Sequence, residues 1–508
     1  IAQLRAALST TEHPKVRQDI EILIRALEDA ATSAELNRRC MLPYYNVPAT
    51  FFFGFRSLLD PRVPADRYPA ALTRLKRYTG QEDGYEPLTV LARARTVERL
   101  GEPGLIGPYQ GQMENDLANA QRYMSGLADI FTESGLEGWE DDLALLEQQV
   151  TEYTDWLRAE MLPRARAGHR LPEEIYADNL KNYGVDIDPR DLIRTAQIGF
   201  SEIQNEMQSI ARLIAEQRGL ESGDYRDVIR VLKQDQVPPD EVLPLYHERL
   251  SQLEQIIRDQ AIISLPERDA AIRLATEAEA SAMPAPFLSP PPLIGNTGQP
   301  AEFVLVTSDP TAGEDAAVMD DWTHDGVTWT LAVHEARPGH ELQFTSMIEG
   351  GVSQARAIYA FNSANVEGWG LYAEAIMKPF LPLEGQLFSL QARLARAARA
   401  FLDPMVNLGL LEPDAAKDLL MDEVGISAAM AGSEVDRYTF RAPGQATSYY
   451  FGYLNMMQLR AEAEIALRDQ FVQKDFHDFV LAQGLLPPEL LRQAVLEEFV
   501  PANRGIGP

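Results

Sequence analysis

One cysteine, Cys40, is all that 508 residues contain. A single thiol excludes an internal disulfide framework, so the core alone must hold the fold. That fits a reducing compartment, and a cytoplasmic protein is expected, with a signal removed before Ile1 left open. No apolar run reaches about 18 residues, so no transmembrane helix and no membrane partner are expected. Basic residues are scarce beside acidic ones, 46 against 76, for a net charge of −30. That balance argues against nucleic acid or an anionic lipid surface, which need clustered Lys and Arg. Solubility alone accounts for much of such a charge, and basic or zwitterionic peptides stay compatible with it. Fixed-period repeats and low-complexity tracts are also absent, which removes solenoids and arrays. Histidine is rare as well, with seven in the chain.

What the chain does have is an ordinary 45% of apolar residues, enough for a real core. Its length suits two or three average domains or one large enzyme. Helical signals dominate. Pro14 opens a long N-terminal helix. Four phenylalanines in Thr50–Phe55 read as core. Leu143, Leu146, Val150, Tyr153 and Leu157 make one apolar stripe. Asp188-Pro189 starts one helix, and Asp240 is expected to cap another over 241–262. A Pro- and Gly-rich stretch from Met283 to Gly298 stops helix. The run 301–307, between Pro300 and Asp309-Pro310, is the best strand. It is expected at the edge of a small sheet beside the motif helix, paired with 287–294 or 346–360, its open side facing a cleft. Helices follow at 328–337, 362–376, 386–402, 413–430 and 446–468. The expectation is a mainly α fold with a small sheet. Its halves, 1–282 and 283–508, would form one compact unit.

Two of the seven histidines, His334 and His340, stand six positions apart with Glu335 beside the first. Imidazoles bind zinc, and a glutamate next to a ligating histidine can take a proton from water. On a regular helix six positions turn about 600°, so the two rings would diverge. Pro338 occupies the fourth position after His334 and can neither ligate nor donate. A shared metal therefore requires a bulge or break at Arg337-Pro338-Gly339; without one, a helix ends at Arg337 and the histidines are unrelated. Glu367 and Glu374, seven apart, share a helix face. Either they face solvent or they serve the same site. A third segment, 434–453, gathers Arg437, Arg441, Gln445 and several tyrosines around Pro443-Gly444. Those groups can hold an oxyanion or a carboxylate, or can be plain core and surface.

Three segments together resemble the bacterial domain-of-unknown-function 885 family, placed among gluzincin-type metallopeptidases: His334-Glu335-Ala-x-Pro338-Gly339-His340-x-x-Gln343, Glu367-Gly368-Trp369-x-x-Tyr372-x-Glu374 and Pro443-Gly444-Gln445-Ala446-x-Ser448-Tyr449. They cover about 30 residues, and their joint order is specific. The Gly339-His340-x-x-Gln343 end is also similar to the zinc helix of angiotensin-converting enzyme, with two residues inserted after the glutamate. The resemblance implies a nearly all-α fold with a deep central groove, a small sheet next to the metal helix, and a zinc ion held by His334, His340 and Glu367. It implies Glu335 as general base, and suggests Tyr449 as oxyanion donor. Where the angiotensin-converting-enzyme relatives carry a histidine before the proline, this chain has Arg441-Ala442-Pro443. Arg437, Arg441 and Gln445 are candidates to hold the end of a short peptide substrate. The rival expectations are a metallohydrolase of a non-peptide amide or ester, and a helical binding protein without metal.

Overall fold

The computed structural model describes residues 1–276, 279–280, 283, 285–307 and 320–505. They fall into two compact units, Ile1–Ala30 with Tyr176–Pro508, and Ala31–Ile175. This is a different division from 1–282 and 283–508. Both units are mainly helical. Among the described residues no helix is long and apolar enough to cross a membrane.

The smaller unit packs helices Val47–Leu58, Pro69–Thr79, Leu88–Arg99, Gln110–Ser134 and Glu140–Trp156 around one core. The stripe from Leu143 to Leu157 is buried along its length, as its three- and four-residue spacing requires. Phe51, Phe52 and Phe55 are buried as expected, but Phe53 is exposed.

The larger unit carries the motifs. Helix α1 (Pro189–Arg218) starts on Asp188, whose carboxylate accepts from Arg190 N. Helix α2 spans Pro239–Asp259. Asp240 lies inside its first turn and is not its cap, because two consecutive prolines, Pro238 and Pro239, set the start two residues earlier. A three-stranded sheet follows, with strands β1 (Ala271–Leu274), β2 (Phe287–Ser289) and β3 (Glu302–Leu305) in the order β1-β3-β2. β1 runs parallel to β3, and β2 runs antiparallel to it. The expected edge strand is thus the central one, flanked on both sides. Phe303, Val304 and Leu305 are all buried, so both faces are covered. A run of consecutive apolar residues signals such a strand, where an edge strand with a wet face alternates. β2 lies against the turn that carries His334. The Asp309-Pro310 bound lies outside the described residues.

Helices α3 (Asp325–Leu331), α4 (His340–Glu349), α5 (Ser363–Met377), α6 (Leu383–Asn407), α7 (Ala428–Asp436) and α8 (Ser448–Leu467) complete the frame. The helix expected over 413–430 is two. Gly425 takes a left-handed conformation (φ 77°), and the Ser427 hydroxyl caps α7 by accepting from Met430 N at 3.1 Å. α6 packs along α1, and α5 packs along α8.

Candidate metal centre

The break required between the two histidines is present. After α3 the chain makes a wide turn, Ala332–Ala336, and Arg337 is extended (φ −125°, ψ 132°). The Arg337-Pro338 bond is cis. α4 then begins at His340 itself, which turns both imidazoles toward one point. Gly339 is obligatory here, since a Cβ would lie 2.0 Å from the His334 carbonyl oxygen and 2.3 Å from that of Val333. Arg337 pins the break from inside. Fully buried, it donates to Glu341 Oε2 (2.8 Å), Glu254 Oε1 (2.6 Å) and the Arg268 carbonyl (2.8 Å). Trp369 Nε1 donates to the Pro338 carbonyl at 2.9 Å, tying the break to α5.

The His334 ring lies across α5, clasped by two glutamates. Its Nδ1 is 2.6 Å from Glu374 Oε1, and its Nε2 is 3.5 Å from Glu367 Oε2. Gly370, between them, makes room: a Cβ there would sit 2.7–3.0 Å from three ring atoms. Thr330 Oγ1 donates to the second Glu374 oxygen at 2.9 Å. His340 Nε2 is 3.4 Å from the same Glu367 Oε2, and the two imidazoles meet edge to face. His334, Glu335 and His340 each offer a ligand atom, all within 4.8 Å of one another.

These separations test the fit of a metal. Ligands bonded at 2.0–2.1 Å in a tetrahedron stand about 3.3–3.5 Å apart. Glu367 Oε2 meets both Nε2 atoms at that spacing, which is long for hydrogen bonds. Glu374 bonded to His334 Nδ1 leaves Nε2 free to ligate, the usual arrangement behind a ligating histidine. Three carboxylates around two imidazoles also give the donor set an excess of negative charge that a divalent cation would offset. The residues fit a single divalent metal ion.

The local electrostatics separate the carboxylates. Burial opposes the Glu367 charge, but both imidazoles more than offset it and hold its carboxyl well below the usual range. Burial pushes the Glu335 carboxyl up, with His334 and His340 pulling against it. Burial would lower His334, yet the carboxylates of Glu367 and Glu374 raise it to about 9.

Tyr449, on the first turn of α8, is partly buried and feels the Glu367 carboxylate. Burial, aided by that charge, raises its phenol against the pull of Arg437, Arg399 and Arg396. α8 reaches α5 through a glycine contact: a Cβ on Gly452 would be 1.9 Å from the Ala364 carbonyl oxygen. Arg437 interacts with Tyr449 and Glu367. Arg441 does neither; it is exposed and pairs with Asp436 at 3.3 Å. Gln445 donates to Ser363 Oγ at 3.0 Å, locking its segment to the start of α5. Three neighbours of the site escaped the sequence expectations. Glu374 was noted, though not its bond to His334. Arg396 and Arg399 on α6 and Glu434 on α7 share a pocket with His334, and no spacing in the sequence links them to it.

A mainly helical unit that gathers two histidines and three glutamates defines a candidate metal-binding protein. The chain belongs to the family described as bacterial protein of unknown function (DUF885), whose model matches residues 1–495. It is similar to the solved structure of a proposed lipoprotein of unknown function from Shewanella oneidensis. That likeness has a TM-score of 0.73 at 21% identity, over 97% of this chain and 90% of the other. A proposed lipoprotein from Colwellia psychrerythraea is similar at TM-score 0.71 and 19% identity, over 88% and 78%. No curated protein matches.

Proposed function

We propose that this protein is a zinc-dependent metallopeptidase acting on short peptides, in keeping with its motif resemblance to gluzincins and angiotensin-converting enzyme. The observation that supports this most is Glu367 Oε2 at 3.5 and 3.4 Å from the two imidazole Nε2 atoms, with Glu335 beside them. His334, His340 and Glu367 are the ligands, and Glu374 positions His334. Glu335 is also close enough to ligate. Its raised carboxyl suits a base, whereas the strongly ionised Glu367 suits a ligand. Zinc held there supplies a Lewis acid and an acidified water. Glu335 accepts the proton of the attacking water and delivers it to the leaving amine. Tyr449 donates its hydroxyl hydrogen to the developing oxyanion. In this proposal the partner is a peptide, and neither nucleic acid nor a membrane takes part.

The test is elemental analysis together with turnover. One zinc per chain is expected, lost in His334→Ala and His340→Ala. Glu335→Gln should keep the zinc and lower kcat by about 10²–10⁴-fold. Tyr449→Phe should lower kcat more than it raises KM. A purified protein that takes up no zinc, or whose zinc content ignores both histidine variants, would sink the proposal.

A further inference from the structure

A cationic wall faces the histidine–glutamate cluster. It comprises Arg396 and Arg399 on α6 and Arg437 just after α7. Arg399 is fully committed, donating to both Glu434 oxygens at 2.8 and 2.7 Å while stacking on the Tyr449 ring, 4.8 Å to its centroid. The other two are not committed. Among the described residues, Arg396 Nε is buried without a hydrogen-bond partner, and this guanidinium makes one bond, from Nη1 to the Ala392 carbonyl at 3.3 Å. Among the described residues, Arg437 Nη1 is also buried without a hydrogen bond, its ion pair to Glu434 Oε1 being long at 3.6 Å. Buried donors left unmade cost free energy, so their persistence beside a site points to a ligand that satisfies them.

Their placement says which ligand. Arg396 lies against the Tyr449 ring, 5.7 Å to its centroid, and lines one pocket with His334 and Glu374. Arg437 adjoins the same pocket through Glu434, a residue of its wall, with Nη1 3.6 Å from Glu434 Oε1. The Arg396 guanidinium therefore borders the reacting centre on the Tyr449 side, with Arg437 beside Glu434 in the wall of the same pocket. A cation at the histidines would neutralise the glutamates they now face, leaving two positive forks for an incoming anion. Planar forks match a carboxylate.

We propose that Arg396 and Arg437 form a carboxylate-binding subsite, and that the substrate is a short peptide cleaved next to its free C-terminus. The proposal rests on the peptidase reading for its substrate but not for its binding chemistry, and the experiment separates the two. Zinc-loaded protein is given an N-acetylated tripeptide as the free acid and as the C-terminal amide. The free acid should be cleaved with a kcat/KM at least about tenfold higher, a ratio that falls toward 1 in Arg396→Gln and Arg437→Gln. The same two peptides are titrated into zinc-loaded Glu335→Gln, where binding is read without turnover. The free acid should bind at least about tenfold more tightly, with the preference lost when either arginine is also replaced. Cleavage without any acid preference overturns the subsite and leaves the peptidase standing. Acid-selective binding without cleavage of either peptide keeps the subsite and removes the peptidase. Equal binding of acid and amide overturns the subsite in either case. Should a glutamine variant fail to fold, Arg→Lys at the same position keeps the charge, loses the fork and should still reduce the ratio.

Discussion

At the scale of single residues, the glutamate behind His334 illustrates how a ligand is prepared. Glu374 is buried, bonded to His334 Nδ1 at 2.6 Å and steadied by Thr330. It fixes the tautomer that leaves Nε2 facing the site. Glu374→Gln keeps the shape but loses the charge that raises imidazole basicity. Zinc affinity, measured by competition with a chelator, should fall about 10–100-fold. An unchanged affinity would remove the positioning role. Glu374 was legible in the sequence as sharing a face with Glu367, because seven residues are close to two full turns. Its partner was not legible, since the partner comes from a segment 40 residues earlier in the chain.

At the scale of elements, the site depends on two helices crossing without side chains between them. A Cβ on Gly368 would stand 2.5 Å from the Gly452 carbonyl carbon, and one on Gly452 still closer to Ala364. Inside a helix, replacing Gly by Ala normally stabilises by about 0.5–1 kcal/mol. Here the obstruction is backbone, which cannot swing away, and overpacking costs typically about 1–3 kcal/mol. Gly452→Ala should therefore lower the thermal midpoint, and it should lower kcat as well by moving Tyr449 relative to Glu367. A variant more stable than the wild type would show that α5 and α8 are not in this contact. The sheet teaches the converse. The apolar run 301–307 announced a strand, but its place in the sheet was decided by β1, whose four residues carry little strand signal of their own.

For the molecule as a whole, stability should respond to metal and to pH. A ligand that binds only the folded state stabilises it by mass action, so stripping zinc with a chelator should lower the thermal midpoint of the wild type. His334→Ala should show no such drop. Acid acts through His477, which is buried, contacts the Tyr372 hydroxyl at 2.7 Å and the Ile262 carbonyl at 2.8 Å, and is held down to about 4 by burial. Its folded pKa is depressed, so its contribution is full above about pH 6.5 and is lost as pH falls toward 4, on the order of 3 kcal/mol. Asp403, raised to about 7 by burial, works in the opposite sense: its contribution is present below about pH 4 and is lost as pH rises through 7. Comparing His477→Gln with wild type isolates the first effect. The variant's urea midpoint should change less between pH 7.5 and pH 4.5. Equal slopes would show that His477 does not titrate in this window.

What the sequence determined by itself is what depends on near neighbours. Helical class follows from three- and four-residue periodicity, and the need for a break follows from His334, Pro338 and His340 within one stretch of seven. The grouping of that stretch with Glu367 and Tyr449 came from motif resemblance, not from any local rule. Tertiary structure alone decided the rest. It chose the central place of β3, the wide turn pinned by buried Arg337, and the arrival of Arg396 in one pocket with His334. Each of these rests on groups brought together from distant segments, whose pairing depends on how helices pack. Periodicity along the chain records which face of a helix is buried, but not which helix will cover it.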